Sequence, residues 1–233
     1  MFRVAKTLGN ALLDTVIPRR CGLCGRFDTF LCPVCTADLS VAAPPRCPTC
    51  WGLRGARNDC RTCAAVLVQP LVGVRSPYRL EDGARRLVHA VKYDGLSALA
   101  EPMGHLMAKT LAAWGVQPDL VVPVPLHPSR ERRRGFNQAA LLARSLAEAS
   151  GLPVERTLLR RTRATSPQVR TASAEERRRN VAGAFAAAGA TVGRTVLLVD
   201  DVCTTAATLR ACGEALRQAG AAWVYGLTFA RED

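Results

Sequence analysis

Aromatic residues are scarce in this chain. Phe, Trp and Tyr supply 5% of it, although 48% of the residues are hydrophobic. The apolar content is therefore mainly Ala, Val and Leu, which favours helices packed on buried strands over a sandwich of two sheets. No apolar run reaches the roughly eighteen residues that a membrane-spanning helix needs. Residues Met1 to Arg20 lack a long apolar stretch followed by small residues, so the segment reads as a short amphipathic helix rather than a signal peptide. These absences lead to the expectation of a cytoplasmic protein. Acidic residues are also few, 19 against 32 Lys and Arg, for a formal net charge of +13. That excess suits an anionic partner, and it equally suits an Arg-rich solubilising surface. The length of 233 residues gives one core of ordinary size with room for a small appended module.

Cysteine, in contrast, is abundant and unevenly placed. Eight of the ten cysteines lie between Cys21 and Cys63, and Cys203 and Cys212 stand far away. The cluster is an internal repeat. Cys21-Gly-Leu-Cys24 precedes Cys32-Pro-Val-Cys35, and Cys47-Pro-Thr-Cys50 precedes Cys60-Arg-Thr-Cys63, with Ala42-Ala43-Pro44-Pro45 between the units. Two thiolates separated by two residues point at one ion from a tight turn, and a second such pair completes a tetrahedron. Disulfides would suit a secreted chain, and an iron–sulfur cluster also takes four thiolates. The spacing and the missing signal sequence favour zinc. The repeat suggests sequential sites, Cys21, Cys24, Cys32 and Cys35, then Cys47, Cys50, Cys60 and Cys63; an interleaved pairing satisfies the same spacing. Two structural zinc ions are expected, supplying most of the folding energy of so short a module. Two four-thiolate sites lower the working charge to roughly +9.

Beyond the cysteines an α/β pattern begins, dividing the chain into residues 1–65 and 66–233. Strands are expected at Leu67–Val74, Asp119–Val124, Thr195–Val199 and Trp223–Phe229. Helices are expected at Leu80–Tyr93, Leu96–Trp114, Phe136–Ser150 and Thr208–Ala219, with Pro102 and Gly104 weakening the second. Arg160–Arg179 is a long polar stretch without a period. Alternating strands and helices imply a parallel sheet with ligands at the carboxyl ends of its strands.

One such end carries chemistry. Asp200 and Asp201 directly follow the apolar run Val196-Leu-Leu-Val199. Two carboxylates there repel each other unless something positive or hydrogen-bonding joins them, such as a ribose diol or a magnesium ion. Thr204, Thr205, Ala206, Ala207 and Thr208 then lead into a helix, and hydroxyls beside helix-start N–H groups make a phosphate site. A helix cap alone needs one such residue, not two Asp and three Thr.

The stretch Asp200-Asp201-Val202-Cys203-Thr204-Thr205-Ala206-Ala207-Thr208 resembles the phosphoribosyl diphosphate (PRPP) signature of type I phosphoribosyltransferases. Three further stretches narrow the resemblance: Leu87 to Gly95 with Lys92-Tyr93; Pro123-Val-Pro125-Leu126-His127 leading to Arg134-Gly135-Phe136-Asn137-Gln138; and Arg161, Thr165, Gln168, Arg177, Asn180, Val181 and Phe185. With the cysteine repeat in front, the chain resembles the ComF family of bacterial competence proteins, related to GntX. The resemblance implies a type I phosphoribosyltransferase fold, a parallel sheet flanked by helices with a flexible hood, preceded by a double zinc ribbon. It also implies PRPP with magnesium, single-stranded DNA and a competence helicase as partners, and a role in DNA uptake. Two positions depart from the family pattern. Ala206 replaces the usual glycine of the phosphate loop, which permits positive φ and close approach, and Thr171 replaces a usual leucine.

Arginines crowd two places. Pro125–Arg134 carries Arg130, Arg132, Arg133 and Arg134, and by resemblance it is the loop that touches diphosphate, a role that paired guanidinium donors suit. Arg132 and Arg133 read more readily as solvated charges than Arg134, and Phe136 as a packing residue. Arg160–Arg179 could close over diphosphate or follow a nucleic-acid backbone, though no interleaved aromatics mark a base-stacking platform there. Lys92, Tyr93, Pro125, Leu126, His127, Arg134, Asn137, Gln138, Arg161, Gln168 and Arg177 are thus candidate diphosphate or hood residues. His89 and His105 read as ordinary helix residues. Cys203 reads as a small packing residue, although a thiolate is favoured near a helix start.

Three functions fit the sequence: a PRPP-binding protein that handles single-stranded DNA, an active phosphoribosyltransferase acting on a nitrogen acceptor, or a zinc-ribbon adaptor with a degenerate enzyme fold. No catalytic residue and no base-recognition pocket is legible.

Overall fold

The computed structural model describes residues 19–54, 60, 70–163 and 181–233. A short helix, α1 (Pro33–Ala37), lies within the cysteine repeat. After it come β1 (Gly73–Arg75), β2 (Tyr78–Arg79), α2 (Asp82–Tyr93) and α3 (Ala100–Trp114). Next are β3 (Leu120–Pro123), α4 (Pro128–Arg134), α5 (Gln138–Ser150), β4 (Leu159–Arg161) and β5 (Phe185–Ala187). The chain closes with β6 (Thr195–Cys203), α6 (Ala207–Gln218) and β7 (Trp223–Arg231). The main sheet has the order β1, β7, β6, β3, with β2 also beside β7, and every pairing is parallel. Strands β4 and β5 form a separate antiparallel pair.

Strand β6 is the centre of the core because both its faces are apolar. Val196, Leu197, Leu198 and Val199 have no exposed surface. Leu197 and Val199 pack with Met103 and Met107 of α3 and Leu142 and Leu146 of α5. Val196 and Leu198 pack with Leu209, Cys212 and Leu216 of α6. Each such side chain contributes about 1.5–3 kcal/mol by leaving water. Cys21, Leu31, Cys32 and Leu39 belong to the same cluster as these α3 and α5 residues; the first cysteine unit meets α2, where Leu23 and Leu39 crowd Gly83 and Arg86 donates to the Leu23 carbonyl.

The structure revises several sequence-based expectations. Strand β6 continues past Val199 to Cys203, because β7 extends to Arg231 and pairs Asp200 with Thr228 and Cys203 with Arg231. The two aspartates therefore sit inside the parallel ladder, not beyond it. The Leu96–Trp114 helix starts as a 3-10 turn at Ser97–Leu99 before α3. Pro102 falls in the first turn of α3, where a missing N–H breaks no helical bond. Gly104 is where α3 meets α5: a Cβ there would come 2.5 Å from Ser145 Cβ. The basic segment expected as a loop is helical over Pro128–Arg134, with Pro at its start and Gly135 at φ 86° ending it. Arg160 and Arg161 lie in strand β4 rather than in an aperiodic stretch. The expected first strand keeps Gly73 and Val74 but extends to Arg75; its residues 67–69, most of the Met1–Arg20 helix and residues 164–179 of the hood lie outside the described residues. Among the described residues, no helix is long and apolar enough to cross a membrane.

Candidate functional site

The ends of β6 and α2 bring the first group of residues together. The parallel ladder fixes the backbone of Asp200 and Asp201. The side chain of Asp201 is 7% exposed, and the Lys92 ammonium, from the last turn of α2, stands 2.7 Å from its Oδ2. Burial disfavours the charge on Lys92, but attraction to Asp201 outweighs it and raises the Lys92 pKa. Asp200 Oδ1 accepts a 2.9 Å hydrogen bond from the Asp201 N–H. Burial, and then the negative charge of Asp201, push the Asp200 carboxyl well above its usual range, against the pull of Lys92. Asp201 is buried and Asp200 partly so, and among the described residues they have Lys92 in contact and Arg161 attracted to Asp200, an arrangement that suits a seat for hydroxyl donors or a cation.

The loop after β6 is short of partners too. Helix α6 starts at Ala207 without a side-chain cap, so its first N–H groups face outward from the helix. Thr205 Oγ1 is buried and has no hydrogen-bond partner among the described residues. Ala206 adopts φ 58°, ψ 9°, the left-handed region, at a cost of about 1–2 kcal/mol for a residue with a Cβ. This explains in physical terms why glycine suits that position. Asp200 and Val202–Leu209 line a cleft of about 20 Å³, room for about one water. A phosphate seated there requires the loop to open.

A second group adjoins the first through Lys92. Lys92, Tyr93, Gly95, Arg130, Arg133 and Arg134 line a cavity of about 220 Å³. Arg130, Arg133 and Arg134 share one face of α4 because residues three and four apart stack on a helix. Arg133 is exposed, in keeping with a solvated charge, and it also lines the cavity, a placement hidden while the segment read as a loop. The Arg134 guanidinium lies 5.6 Å from the centre of the Tyr93 ring and donates to Gln138 Oε1. Arg161 stacks on Phe185 at 5.3 Å; burial and then the positive field of Arg130 lower its pKa, while Asp200 attracts it.

Other sequence candidates serve the scaffold. Asn137 caps α5, accepting from the Ala139 N–H at 3.0 Å and donating to the Val124 carbonyl at 3.0 Å. His127 caps α4, with Nδ1 3.3 Å from the Ser129 N–H and 2.7 Å from its hydroxyl. Pro125 and Leu126 form the half-buried bend between β3 and His127. Phe136 packs against the core. Cys203 and Cys212 are buried thiols whose pKa values rise for that reason, which leaves them unreactive. Gln168, Arg177 and Cys63 lie outside the described residues.

The cysteines fall into two clusters. The sulfurs of Cys21, Cys24, Cys32 and Cys35 lie within 4.8 Å of one another, as do those of Cys47, Cys50 and Cys60. This is the sequential grouping, and no disulfide joins the described cysteines. Four sulfurs about 2.3 Å from a tetrahedral ion stand about 3.8 Å apart; Cys24 and Cys32 stand 3.7 Å apart, and Cys50 and Cys60 3.3 Å. Each cluster could hold a metal ion, and the donor set fits zinc. Burial raises the Cys21 thiol, but N–H donors of Cys24, Cys32 and Leu23 prevail and bring it to about 6, whereas hydrogen bonding with Cys32 pushes Cys35 up to about 12. The two repeats share the hydrogen bonds of their first knuckles. Cys21 N–H bonds to Arg26 O as Cys47 N–H bonds to Gly52 O, and Gly25 N–H to Cys21 O as Trp51 N–H to Cys47 O. Gly25 at φ 74° is answered by Trp51 at φ 61°. A tryptophan holds this position because its indole donates to Ser76 O at 3.1 Å and lies under the Arg75 guanidinium at 4.2 Å.

Sequence reasoning missed the tie between this module and the sheet. Arg46 makes a bidentate pair with Asp233 at 2.6 and 2.7 Å. Arg231, at the end of β7, bonds Asp233 at 3.1 Å and the Cys50 carbonyl at 2.7 Å. The hydrogen bond from Arg46, more than burial opposes it, lowers the Asp233 pKa. No local pattern announces a contact between residues so far apart in the chain.

Comparison with known proteins adds the following. The phosphoribosyl transferase domain family matches residues 95–230. A DNA utilization protein, YhgH, of Escherichia coli O157:H7 is 36% identical over 143 residues, 59% of this chain and 63% of that protein. Competence protein F of Haemophilus influenzae is 40% identical over 106 residues, 44% of this chain and 46% of that one. Competence protein ComFC of Streptococcus pneumoniae is 28% identical over 197 residues, covering 83% and 84% of the two chains. The match to the first of these spans less than two thirds of that relative's length.

Proposed function

The chain belongs to the phosphoribosyl transferase domain family, with the parallel sheet and flanking helices of its type I fold, and from that premise we propose that it binds PRPP and single-stranded DNA in a process of DNA uptake or use. The observation that carries the ligand reading is the pair Asp200 and Asp201. The ladder holds both at the carboxyl end of β6, and the partly buried Lys92 is placed to neutralise Asp201. Ribose hydroxyls donating to the carboxylates would satisfy them. The hydroxyl of Thr205 and the uncapped N–H groups of α6 would take the 5′-phosphate. Lys92 and Arg161 would face the diphosphate, and magnesium, when bound, would neutralise diphosphate charge beside Asp200 and Asp201. The DNA reading rests on the relatives named for DNA utilization and competence, and on the arginine face of α4 beside the ligand loop. We assign one structural zinc to each cysteine cluster, Cys63 completing the second. Residues 1–65 and 66–233 serve as ribbon module and ligand-binding body.

Isothermal titration of the whole protein with PRPP and magnesium tests this. Saturable heat in the wild type that is lost in Asp200→Asn/Asp201→Asn supports the assignment; equal binding by both excludes this loop. Release of diphosphate on adding a nitrogen nucleophile would instead mark an active transferase.

A further inference from the structure

Tyr93 is 68% exposed although it is the last residue of α2 and the neighbour of the largely buried Lys92–Asp201 pair. Its ring sits in the middle of positive charge: Lys92, Arg130, Arg133 and Arg134 share its cavity of about 220 Å³. Arg134 stands 5.6 Å from the ring centre. The His89 ring lies 4.9 Å away at 46°, bracing Tyr93 from the preceding turn of the helix. Lys92 and Tyr93 lie before the stretch that matches the family, which starts at residue 95.

We infer that Tyr93 is a stacking platform for one base of a single-stranded nucleic acid, whose flanking phosphates run over Arg130, Arg133 and Arg134. This rests on the reading that single-stranded nucleic acid crosses the basic cavity. Three features of the site point to that ligand. An aromatic face open to water favours a flat apolar partner, and a ring of cations restricts that partner to one carrying negative charge; a nucleotide is both. The size agrees, since the cavity takes one base or sugar-phosphate unit rather than a duplex. Arg130, Arg133 and Arg134 are stacked over one turn of α4 around the cavity, and three guanidinium groups supply more donors than one free phosphate needs, enough for the phosphates on both sides of one base. One aromatic gives one stacked base, so the contact adds affinity without reading sequence.

Fluorescence anisotropy with two labelled probes of equal phosphate number, an oligothymidylate and an abasic oligomer, tests this on the full protein. Wild type should bind the oligothymidylate roughly tenfold more tightly than the abasic strand. Tyr93→Ala should remove that preference and bind both as wild type binds the abasic strand, with the salt slope unchanged. Tyr93→Phe, which keeps the ring, should retain the preference. Equal binding of the oligothymidylate by wild type and Tyr93→Ala, or loss of the preference in Tyr93→Phe, overturns the stacking site alone. No binding of either probe by wild type at low salt overturns the nucleic-acid reading beneath it.

Discussion

The acidic loop and the basic cavity share Lys92 but are built in opposite ways. The loop is fixed by backbone: a parallel ladder holds Asp200 and Asp201, and a left-handed residue turns the chain into α6. Asp201 is buried, Asp200 partly so, and its cleft is about 20 Å³. The cavity is made of long side chains on one face of a short helix and an open aromatic ring, around about 220 Å³. A rigid desolvated site discriminates by shape and hydrogen bonding, since an unmatched group there stays unpaired. A solvated arginine row discriminates by charge and tolerates many backbone paths. The two therefore suit different ligands, one compact and one polymeric, with Lys92 at the border.

The largest expected effect comes from neither half but from the cysteine module. Protein purified under reducing, chelator-free conditions should contain two zinc ions per chain by elemental analysis. Stripping them should remove about 10 kcal/mol or more of folding energy from the cysteine module, seen as a large fall in thermal stability. Metal-free protein with unchanged melting contradicts the zinc assignment.

Next in size, Asp200→Asn with Asp201→Asn should weaken PRPP by about 1–3 kcal/mol while oligonucleotide affinity holds or rises, because negative charge has been removed. Asp200 alone separates stability from binding. Its pKa is raised in the folded state, so its contribution to stability is full below the unfolded value of about 4 and is lost as pH rises through the folded value. Asp200→Asn should therefore melt higher than wild type at neutral pH and lose the decline on going from acid to neutral. A melting profile parallel to wild type would mean that Asp200 is not strained. Replacing Arg130, Arg133 and Arg134 with Ala should do the converse of the double aspartate change. The log-affinity against log-salt slope for single strands should become shallower by about 2, with PRPP affinity moving less. Equal losses for both ligands would merge the two halves into one site.

The smallest effect is the most local. Ala206→Gly should stabilise the protein by up to about 1 kcal/mol by relieving the left-handed alanine, and keep or tighten PRPP binding as the loop opens more easily. A glycine that weakens PRPP would show that the alanine shapes the site rather than cramping it.

The loop was legible in the sequence because its signal is contiguous: an apolar strand, two carboxylates, hydroxyls and a helix start within thirteen residues. The cysteine grouping was legible as a repeat for the same reason. The cavity was not. Its arginines read as part of a diphosphate-touching loop, Arg132 and Arg133 the more readily solvated, until Pro128 and Gly135 proved to bound a helix that turns Arg130, Arg133 and Arg134 to one side. Tyr93 gave no sign of exposure, since helix periodicity does not show which face a distant element leaves bare. The Arg46–Asp233–Arg231 tie joins residues too far apart in the chain for any pattern to connect. The true end of β6 depended on its partner β7, which local apolarity does not report.

The most direct test is an order-of-addition titration by calorimetry: PRPP with magnesium into the free protein, then an oligothymidylate into the PRPP-loaded and the free protein. Two ligands meeting at Lys92 predict saturable binding of each alone, and weaker oligothymidylate binding once PRPP is in place. Absence of heat with PRPP would contradict the account of the acidic loop, and oligothymidylate binding of equal strength with and without PRPP would contradict a shared border at Lys92.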